Sequence, residues 1–312
     1  MVFHTLHVDT SVDWRGGQRQ LLLLAKGQQK RGFGVTVACP SGSVLSRRLA
    51  QLGIATMDIP PGISLRGRWR VQQFKCSLVA AHSSHAHSIC RGVRVPLVVH
   101  RRVDFRPKRP KKYDGAKVIS VSNFIAEQLR TLSIDAVVVY DGIELPEQKP
   151  SLHRDIDFLA VGALVPHKGH RVLAQTTSLF PDQRFVVLGE GRLRYDQLEH
   201  LGWVQDVAPF YRRACCFVHP SIDEGLGQSV LEAMAHGLPV VASRTGGIPE
   251  IVADAGVLVE PNNPAALAEG MRYAHNNRVE LAKKSRQRCR LFLSDRMIDE
   301  TLACYQELIS AQ

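Results

Sequence analysis

The sequence predicts an α/β protein made of two successive doubly wound, Rossmann-like domains facing a central cleft. Three observations predict it. Short apolar runs of strand length alternate with segments of helix length, a polar stretch with two prolines interrupts the alternation near the middle, and the alternation then restarts. Short apolar runs bounded by turn residues and separated by helices are what strands buried on both faces of a parallel sheet require.

The elements follow in order. Residues 3–8 read as the first strand, and Arg15-Gly16-Gly17-Gln18 as the turn after it. A helix opens at Gln20-Leu-Leu-Leu-Leu-Ala25 and ends near Arg31-Gly32. Residues 35–39 form a second strand stopped by Pro40, and residues 46–52 a helix closed by Gly53. Further strands are expected at 77–81, 97–100, 117–121 and 136–140. Glu144-Leu-Pro-Glu-Gln-Lys-Pro150 is the linker, which sets the domains at 1–147 and 148–312. In the second half, strands are expected at 158–161, 185–188, 216–219, 240–242 and 257–259, with helices between them.

Composition bounds the function. Hydrophobic residues make up 45% of the 312, enough for full cores, which excludes a disordered chain. No apolar run approaches the ~18–20 residues needed to span a bilayer. The N-terminus lacks a basic start and is interrupted by His4, His7 and Asp9, so it does not read as a signal peptide and a cytoplasmic location is expected. The seven cysteines are odd in number and form no CxxC pair, as expected of buried thiols in a reducing compartment. The net charge of +11 is uneven: residues 1–150 carry 23 Lys and Arg against 10 Asp and Glu, the remainder 17 against 19. An anionic partner is therefore expected to meet the N-terminal half, either a phosphorylated or glycolipid acceptor or the inner face of an anionic membrane. Nucleic acid is not expected, because no recognition motif is present.

The most informative stretch is 219–252, His-Pro-Ser-Ile-Asp-Glu-Gly-Leu-Gly-Gln-Ser-Val-Leu-Glu-Ala-Met-Ala-His-Gly-Leu-Pro-Val-Val-Ala-Ser-Arg-Thr-Gly-Gly-Ile-Pro-Glu-Ile-Val. A strand ends at Pro220, a glycine-containing loop follows, and a helix starts near Gln228 and stops at Gly237 and Pro239. Unpaired N–H groups at such a helix start can bind phosphate, aided by the helix dipole. Glu224 in the loop and Glu232 in the helix are eight residues apart, and carboxylates accept hydrogen bonds from sugar hydroxyls.

This string resembles the EX7E donor motif of glycosyltransferase family 4, whose members have the GT-B fold and retain anomeric configuration. The resemblance extends over essentially the whole chain. Val161-Gly-Ala-Leu-Val-Pro-His-Lys-Gly169 is similar to the family's second donor motif, in which an arginine and a lysine contact the diphosphate. Lys168 matches the lysine, and Ala163 stands where the arginine is usual, with Arg192, Arg194 or Arg244 as substitutes. Gly189-Glu190-Gly191 resembles the glycine turn beneath the nucleotide, and Gly202-Trp203-Val204, before Asp206, the stretch bordering the base. Gly16 and Gly17 resemble the loop near the donor phosphates and acceptor.

The cluster His82-Ser-Ser-His85-Ala-His87 lies at a strand end, where the family carries an active-site histidine. His82 fits that position with Ala80 replacing its usual partner, and His87 is the alternative register. A metal is not expected, since no Cys, Asp or Glu completes a ligand set nearby. Asp155-Ile-Asp157 mimics a metal-binding DxD but reads as a solvated strand end. Two basic stretches, Arg66-Gly-Arg68-Trp69-Arg70 and residues 101–112 with Phe105, combine cations with aromatics.

The resemblance implies a metal-independent, retaining hexosyltransferase that uses a nucleoside-diphosphate sugar as donor substrate and no cofactor. It implies His82 and Glu224 at the reacting centre, Glu232 on the ribose, and Lys168 with the amides of Gly17, Gly225 and Leu226 on the diphosphate. Gly16, Gly189, Gly227 and Ser229 complete the expected substrate contacts. The acceptor is expected to be a cell-surface glycolipid or lipopolysaccharide-type glycan, and the last helix, near 296–308, is expected to cross back to the first domain. A weakly active sugar-nucleotide-binding protein and a GT-B sugar-nucleotide epimerase are the alternatives.

Overall fold

A computed structural model describes residues 3–104, 107, 109–147 and 153–311. The chain divides into two compact units, Met1–Gly142 with Ser294–Gln312, and Ile143–Leu293. The division thus falls five residues before the expected one, and the C-terminal helix groups with unit 1. Ile143 goes with unit 2 because it bridges to Leu293 and its N–H donates to Phe292 O at 2.8 Å. Of the expected linker, residues 148–150 lie outside the described residues.

Unit 1 runs β1 (His4–Val8), α1 (Gly16–Lys30), β2 (Gly34–Cys39), α2 (Val44–Gln51), β3 (Ala55–Asp58), α3 (Leu65–Gln73) and β4 (Leu78–Ala81). It continues with α4 (Ser84–Cys90), β5 (Leu97–Arg101), β6 (Ala116–Ser120), α5 (Asn123–Arg130) and β7 (Ala136–Val138). Unit 2 contains β8 (Ile156–Val161), α6 (His170–Thr176), β9 (Phe185–Leu188), β10 (Glu199–Gly202), α7 (Ala208–Arg213), β11 (Ala214–His219) and α8 (Gln228–Ala235). Then come β12 (Val240–Ser243), α9 (Ile248–Val252), β13 (Val257–Val259), α10 (Pro264–Asn276) and α11 (Arg278–Cys289), and α12 (Ser294–Ser310) returns to unit 1.

Both sheets are parallel. Their strand orders are β3-β2-β1-β4-β5-β6-β7 and β10-β9-β8-β11-β12-β13. In each, the order reverses once, between β1 and β4 and between β8 and β11. Ligands bind such sheets outside the carboxyl ends of the strands at that reversal, because the two flanking loops leave in opposite directions. His82 follows β4, and the 220–227 stretch follows β11, so the sequence motifs stand at these two places.

The eleven expected strands form. The two unexpected ones, β3 and β10, are edge strands with mostly exposed, polar residues, so no apolar run marks them. Gly16 and Gly17 are helical from the first turn of α1, which corrects their reading as a turn. Arg15 N–H donates to the Gln18 side chain at 3.1 Å, fixing that helix start, and Gln18 in turn donates to buried Asp9 at 2.8 Å.

One core of unit 1 lies between the sheet and the α1/α12 layer, with Leu24, Val98, Ile119, Ile298, Leu302 and Tyr305 buried. The opposite face packs Leu6, Val8, Val79 and Val99 against α3 and α4. In unit 2, Phe158, Phe180 and Phe185 pack with Leu267 and Met271. Full burial of each such side chain is worth roughly 1.5–3 kcal/mol. All seven thiols are free, and only Cys76 and Cys215 are less than fully buried.

Asp155 and Asp157 sit at the amino end of β8, away from the carboxyl edge. This strand end is partly exposed, as expected, and it also forms ties: Asp155 accepts from Arg184 and Arg213, each at 2.7 Å, and Asp157 accepts from Arg184 N–H at 2.8 Å. These bonds join the starts of β8 and β11 to the segment entering β9. Among the described residues, no helix is long and apolar enough to cross a membrane.

Candidate functional site

In unit 2 the strand β11 delivers His219 to the sheet edge, and the loop 220–227 follows it. Two neighbouring loops clamp this loop. From the β8 side, Ile222 N–H donates to His167 O at 2.7 Å. From the β12 side, the Thr245 hydroxyl donates to Ile222 O at 2.6 Å. Two glycines permit the approach. Gly169 (φ +67°) has no room for a Cβ, which would stand 1.9 Å from Pro220 O. Gly246 (φ +55°) would place one 1.7 Å from Glu224 O. Both also hold a left-handed backbone that side-chain-bearing residues adopt at a cost.

The clamped loop turns Glu224 toward β8. Its carboxylate pairs with Lys168 and accepts from His219 Nε2–H at 3.0 Å. Burial pushes the Glu224 carboxyl up, but the His219 N–H and the Lys168 ammonium together outweigh it and hold it down at about 2. Burial pushes the His219 imidazole down, so it is neutral, with Nδ1 facing the Ser229 hydroxyl at 3.4 Å. Ser229 is the second residue of α8. Its carbonyl and the Glu232 carboxylate both accept from Tyr211 OH, at 3.3 and 3.2 Å. A continuous chain of polar contacts therefore links Lys168, Glu224, His219, Ser229, Tyr211 and Glu232. Lys168, Glu224 and Glu232 lie around one helix start.

Helix α8 begins after Gly227 (φ +97°), with no side-chain cap and no acidic residue in its first turn. Val230 and Leu231 N–H donate to Gly227 O at 3.0 and 3.2 Å, closing the first turn, and the helix dipole adds positive potential at this end. A lysine, a helix N-terminus and two carboxylates on either side make a place suited to a diphosphate flanked by two hydroxylated rings. Gly225, Leu226 and Gly227 are buried in the loop. Gly189 directly follows β9, and its N–H donates to Gly202 O at 2.8 Å. Ala163 O lies 3.3 Å from the buried His170 Nε2. Arg192, Arg194 and Arg244 are exposed, and Arg194 donates to Gly191 O and Leu193 O. Trp203 is exposed, and Asp206 accepts from Ala208 N–H at 3.0 Å at the start of α7.

In unit 1 the three clustered histidines separate. His85 is exposed, and His87 is buried with its ring 4.7 Å from that of Tyr113. His82 enters a buried network with His7 and His100. The network's proton positions follow from its ends. Gln28 Nε2 donates to Gly34 O at 3.1 Å, so its Oε1 is the acceptor facing His7 Nε2 at 2.8 Å. Burial holds His7 down at about 4, so the ring is neutral and protonated on Nε2, and Nδ1 accepts. His82 Nε2–H therefore donates to it at 2.9 Å. His82 Nδ1 then accepts from the Arg102 guanidinium at 3.1 Å, and Arg102 also donates to buried Asp141 at 2.9 Å. His100 stacks on His82 at 4.3 Å and is hydrogen-bonded to Tyr305 of α12 at 2.7 Å. Both ring nitrogens of His82 thus have partners within unit 1.

His219 carries a visible sequence signal, since it ends the strand that opens the motif. Tyr211, His7, His100 and Tyr305 carry none, because long-range packing alone brings them to these places. Of the basic stretches, Phe105, Arg106 and Lys108 lie outside the described residues.

Comparison with known proteins gives a consistent picture. The family described as Glycosyltransferase Family 4 matches residues 14–146, and that described as Glycosyl transferases group 1 matches residues 155–277. An uncharacterized glycosyltransferase of Methanocaldococcus jannaschii is 33% identical over 215 residues, which is 62% of this chain and 60% of that protein. O-antigen chain mannosyltransferase B of Escherichia coli is 34% identical over 130 residues, 35% of this chain and 34% of that protein. The chain thus spans less than two thirds of the length of these relatives. The crystal structure of HepE of Anabaena in complex with UDP-glucose superimposes with a TM-score of 0.84 at 19% identity, covering 99% of this chain and all of that one. That likeness shows the fold to be of the GT-B type.

Proposed function

We propose that the chain, whose two halves match the Glycosyltransferase Family 4 and Glycosyl transferases group 1 families, is a family-4-like glycosyltransferase of the GT-B type that transfers a hexose-type sugar from a nucleoside-diphosphate sugar to a hydroxyl acceptor, with retention of configuration. The observation that carries the reading is the grouping of Lys168, Glu224, His219 and Glu232 around the start of α8, at the point where the strand order of unit 2 reverses.

In this reading Glu224 orients the donor sugar and Glu232 holds the ribose. Lys168, Ser229 and the N–H groups of Gly225, Leu226 and Gly227 take up the charge that develops on the diphosphate, which stabilises its departure. Gly189, where a Cβ would stand 1.9 Å from Gly162 O, lets two loops meet and is assigned to the turn beneath the nucleotide. The bond between the anomeric carbon and the phosphate oxygen breaks, the acceptor oxygen bonds on the same face, and its proton passes to the departing phosphate. No step is assigned to a metal, so turnover is expected to persist in excess EDTA. In unit 1, the basic unit, Gly16 and Gly17 with the α1 N-terminus are assigned to substrate and His82 remains the candidate catalytic histidine. The O-antigen enzyme among the relatives favours a cell-surface glycolipid or lipopolysaccharide-type acceptor, and the UDP-glucose bound by HepE makes uridine donors the first to test.

A thermal-shift screen over nucleotide sugars tests the donor, because a ligand specific for the folded state raises its melting temperature. Failure of every nucleotide sugar to do so sinks the reading. Inverted product anomers would remove retention alone. Ala163, at the position of the usual arginine, favours a second reading of sugar-nucleotide binding without turnover. Donor binding with neither transfer nor hydrolysis would select it.

A further inference from the structure

Helix α3 presents Leu65 and Trp69 to solvent. Gly67 and Val71 turn inward, and a Cβ at Gly67 would lie 3.5 Å from Ile89 of α4, so the helix backbone is fixed to the unit. Ser64 caps its start by accepting from Gly67 N–H at 2.9 Å. On the outward side stand Ile63, Leu65 and Trp69, which are 66%, 88% and 62% exposed. Leu65 and Trp69 are four residues apart and so lie on one face. Fifteen large hydrophobics are exposed among the described residues, and three of them fall within these seven positions, which makes a cluster rather than scatter.

The charge around the cluster is predominantly positive, with Asp58 the acidic neighbour. Between Asp58 and Asp104 the sequence holds no acidic residue and eight Lys or Arg. Arg66 and Arg68 are exposed on α3 itself, and Arg91 and Arg94 are exposed at the end of neighbouring α4. Arg70 stands 3.8 Å from Asp58. Projecting Leu and Trp side chains with flanking guanidiniums match the boundary between lipid headgroups and acyl chains. There the apolar groups enter the boundary while the cations stay with the phosphates. Tryptophan is favoured at that depth.

We propose that α3 is the element by which this protein docks on an anionic lipid surface, with Leu65 and Trp69 inserted and Arg66 and Arg68 on the headgroup phosphates. The docking is a property of unit 1 and does not depend on the glycosyl-transfer reading, so it is measured without donor or acceptor.

The test is co-sedimentation of the full chain with phosphatidylcholine vesicles, with and without phosphatidylglycerol. The expected result is partition onto the anionic vesicles only, weakened by salt. Arg66→Gln with Arg68→Gln is expected to lower the partition coefficient about thirtyfold, at roughly tenfold or less per cation. Leu65→Ser with Trp69→Ser is expected to lower it at least as far, with the melting temperature unchanged because these side chains are exposed. No partition by the wild-type chain overturns the proposal, as does equal binding to both vesicle types. Partition retained by both double variants also overturns it. A dimer in solution that the Leu65→Ser, Trp69→Ser variant abolishes would assign the face to a second copy of this chain and likewise overturn it.

Discussion

At Glu224, burial and charge act in opposite directions, and charge prevails. The carboxylate stays ionised because one N–H and one ammonium meet it inside the unit. Glu232 is half-buried and accepts from the Tyr211 hydroxyl at 3.2 Å. If it holds the ribose, Glu232→Ala should weaken nucleotide binding about tenfold or more, the worth of hydrogen bonds to a charged group. Calorimetric titration checks this, and unchanged affinity removes the assignment. The buried histidines of unit 1 make a second prediction. Burial pushes His7, His82 and His100 below their ordinary value. The unfolded chain takes up protons near pH 6.5 where the native rings do not. Stability is therefore undiminished above pH 6.5 and falls as pH drops from there toward about 4, by up to ~1.4 kcal/mol per pH unit for each ring. A melting temperature that stays flat over that range would contradict it. Nitrogen NMR at pH 7 should find His82 neutral and protonated on Nε2, and an imidazolium signal there would refute the network as described.

The elements that were legible are those whose apolar runs are buried on both faces, such as β8, β11 and β12. The start of α8 at Gln228 was legible as well, because Gly227 and the loop before it break the pattern. One edge of each sheet was not legible, since β3 and β10 present side chains to solvent and gain no apolar signature from pairing. The clamp on loop 220–227 was hidden too, because Gly169 and Gly246 show what they are for only when the loops meet. Gly246→Ala should displace the Glu224 backbone. It should lower stability by about 1–3 kcal/mol for the left-handed backbone alone and reduce donor affinity. Chemical denaturation and donor titration of the same variant would show both losses, and a variant unaffected in both would mean the loops do not depend on that contact.

For the whole molecule, the chain's last helix is part of its first unit. Gly27 of α1 gives α12 its seat, as a Cβ there would stand 2.2 Å from the end of the Ile298 side chain. Arg31 holds the helix through Asp295 and Asp299, at 3.1 and 2.8 Å. Met297, Ile298, Leu302 and Tyr305 then complete the core, and Tyr305 reaches His100. A chain ending at Leu293 should lose cooperative unfolding of unit 1 while unit 2 still melts as before. Scanning calorimetry of the truncated and full chains checks it, and an unchanged thermogram would show that α12 adds no stability.

The sequence by itself determined the two parallel αβ alternations, the strand–loop–helix that carries Glu224 and Glu232, and Lys168 as the cation near them. Hydrophobic periodicity, turn residues and local spacing encode all of these within short windows. Only the tertiary structure decided that His219 and Tyr211 link the two carboxylates, and that three distant histidines and a tyrosine from the last helix bury one another. It also decided that α3 turns its Leu and Trp outward. Those outcomes depend on which residues the two sheets bring together from far apart in the chain, and no local pattern records that.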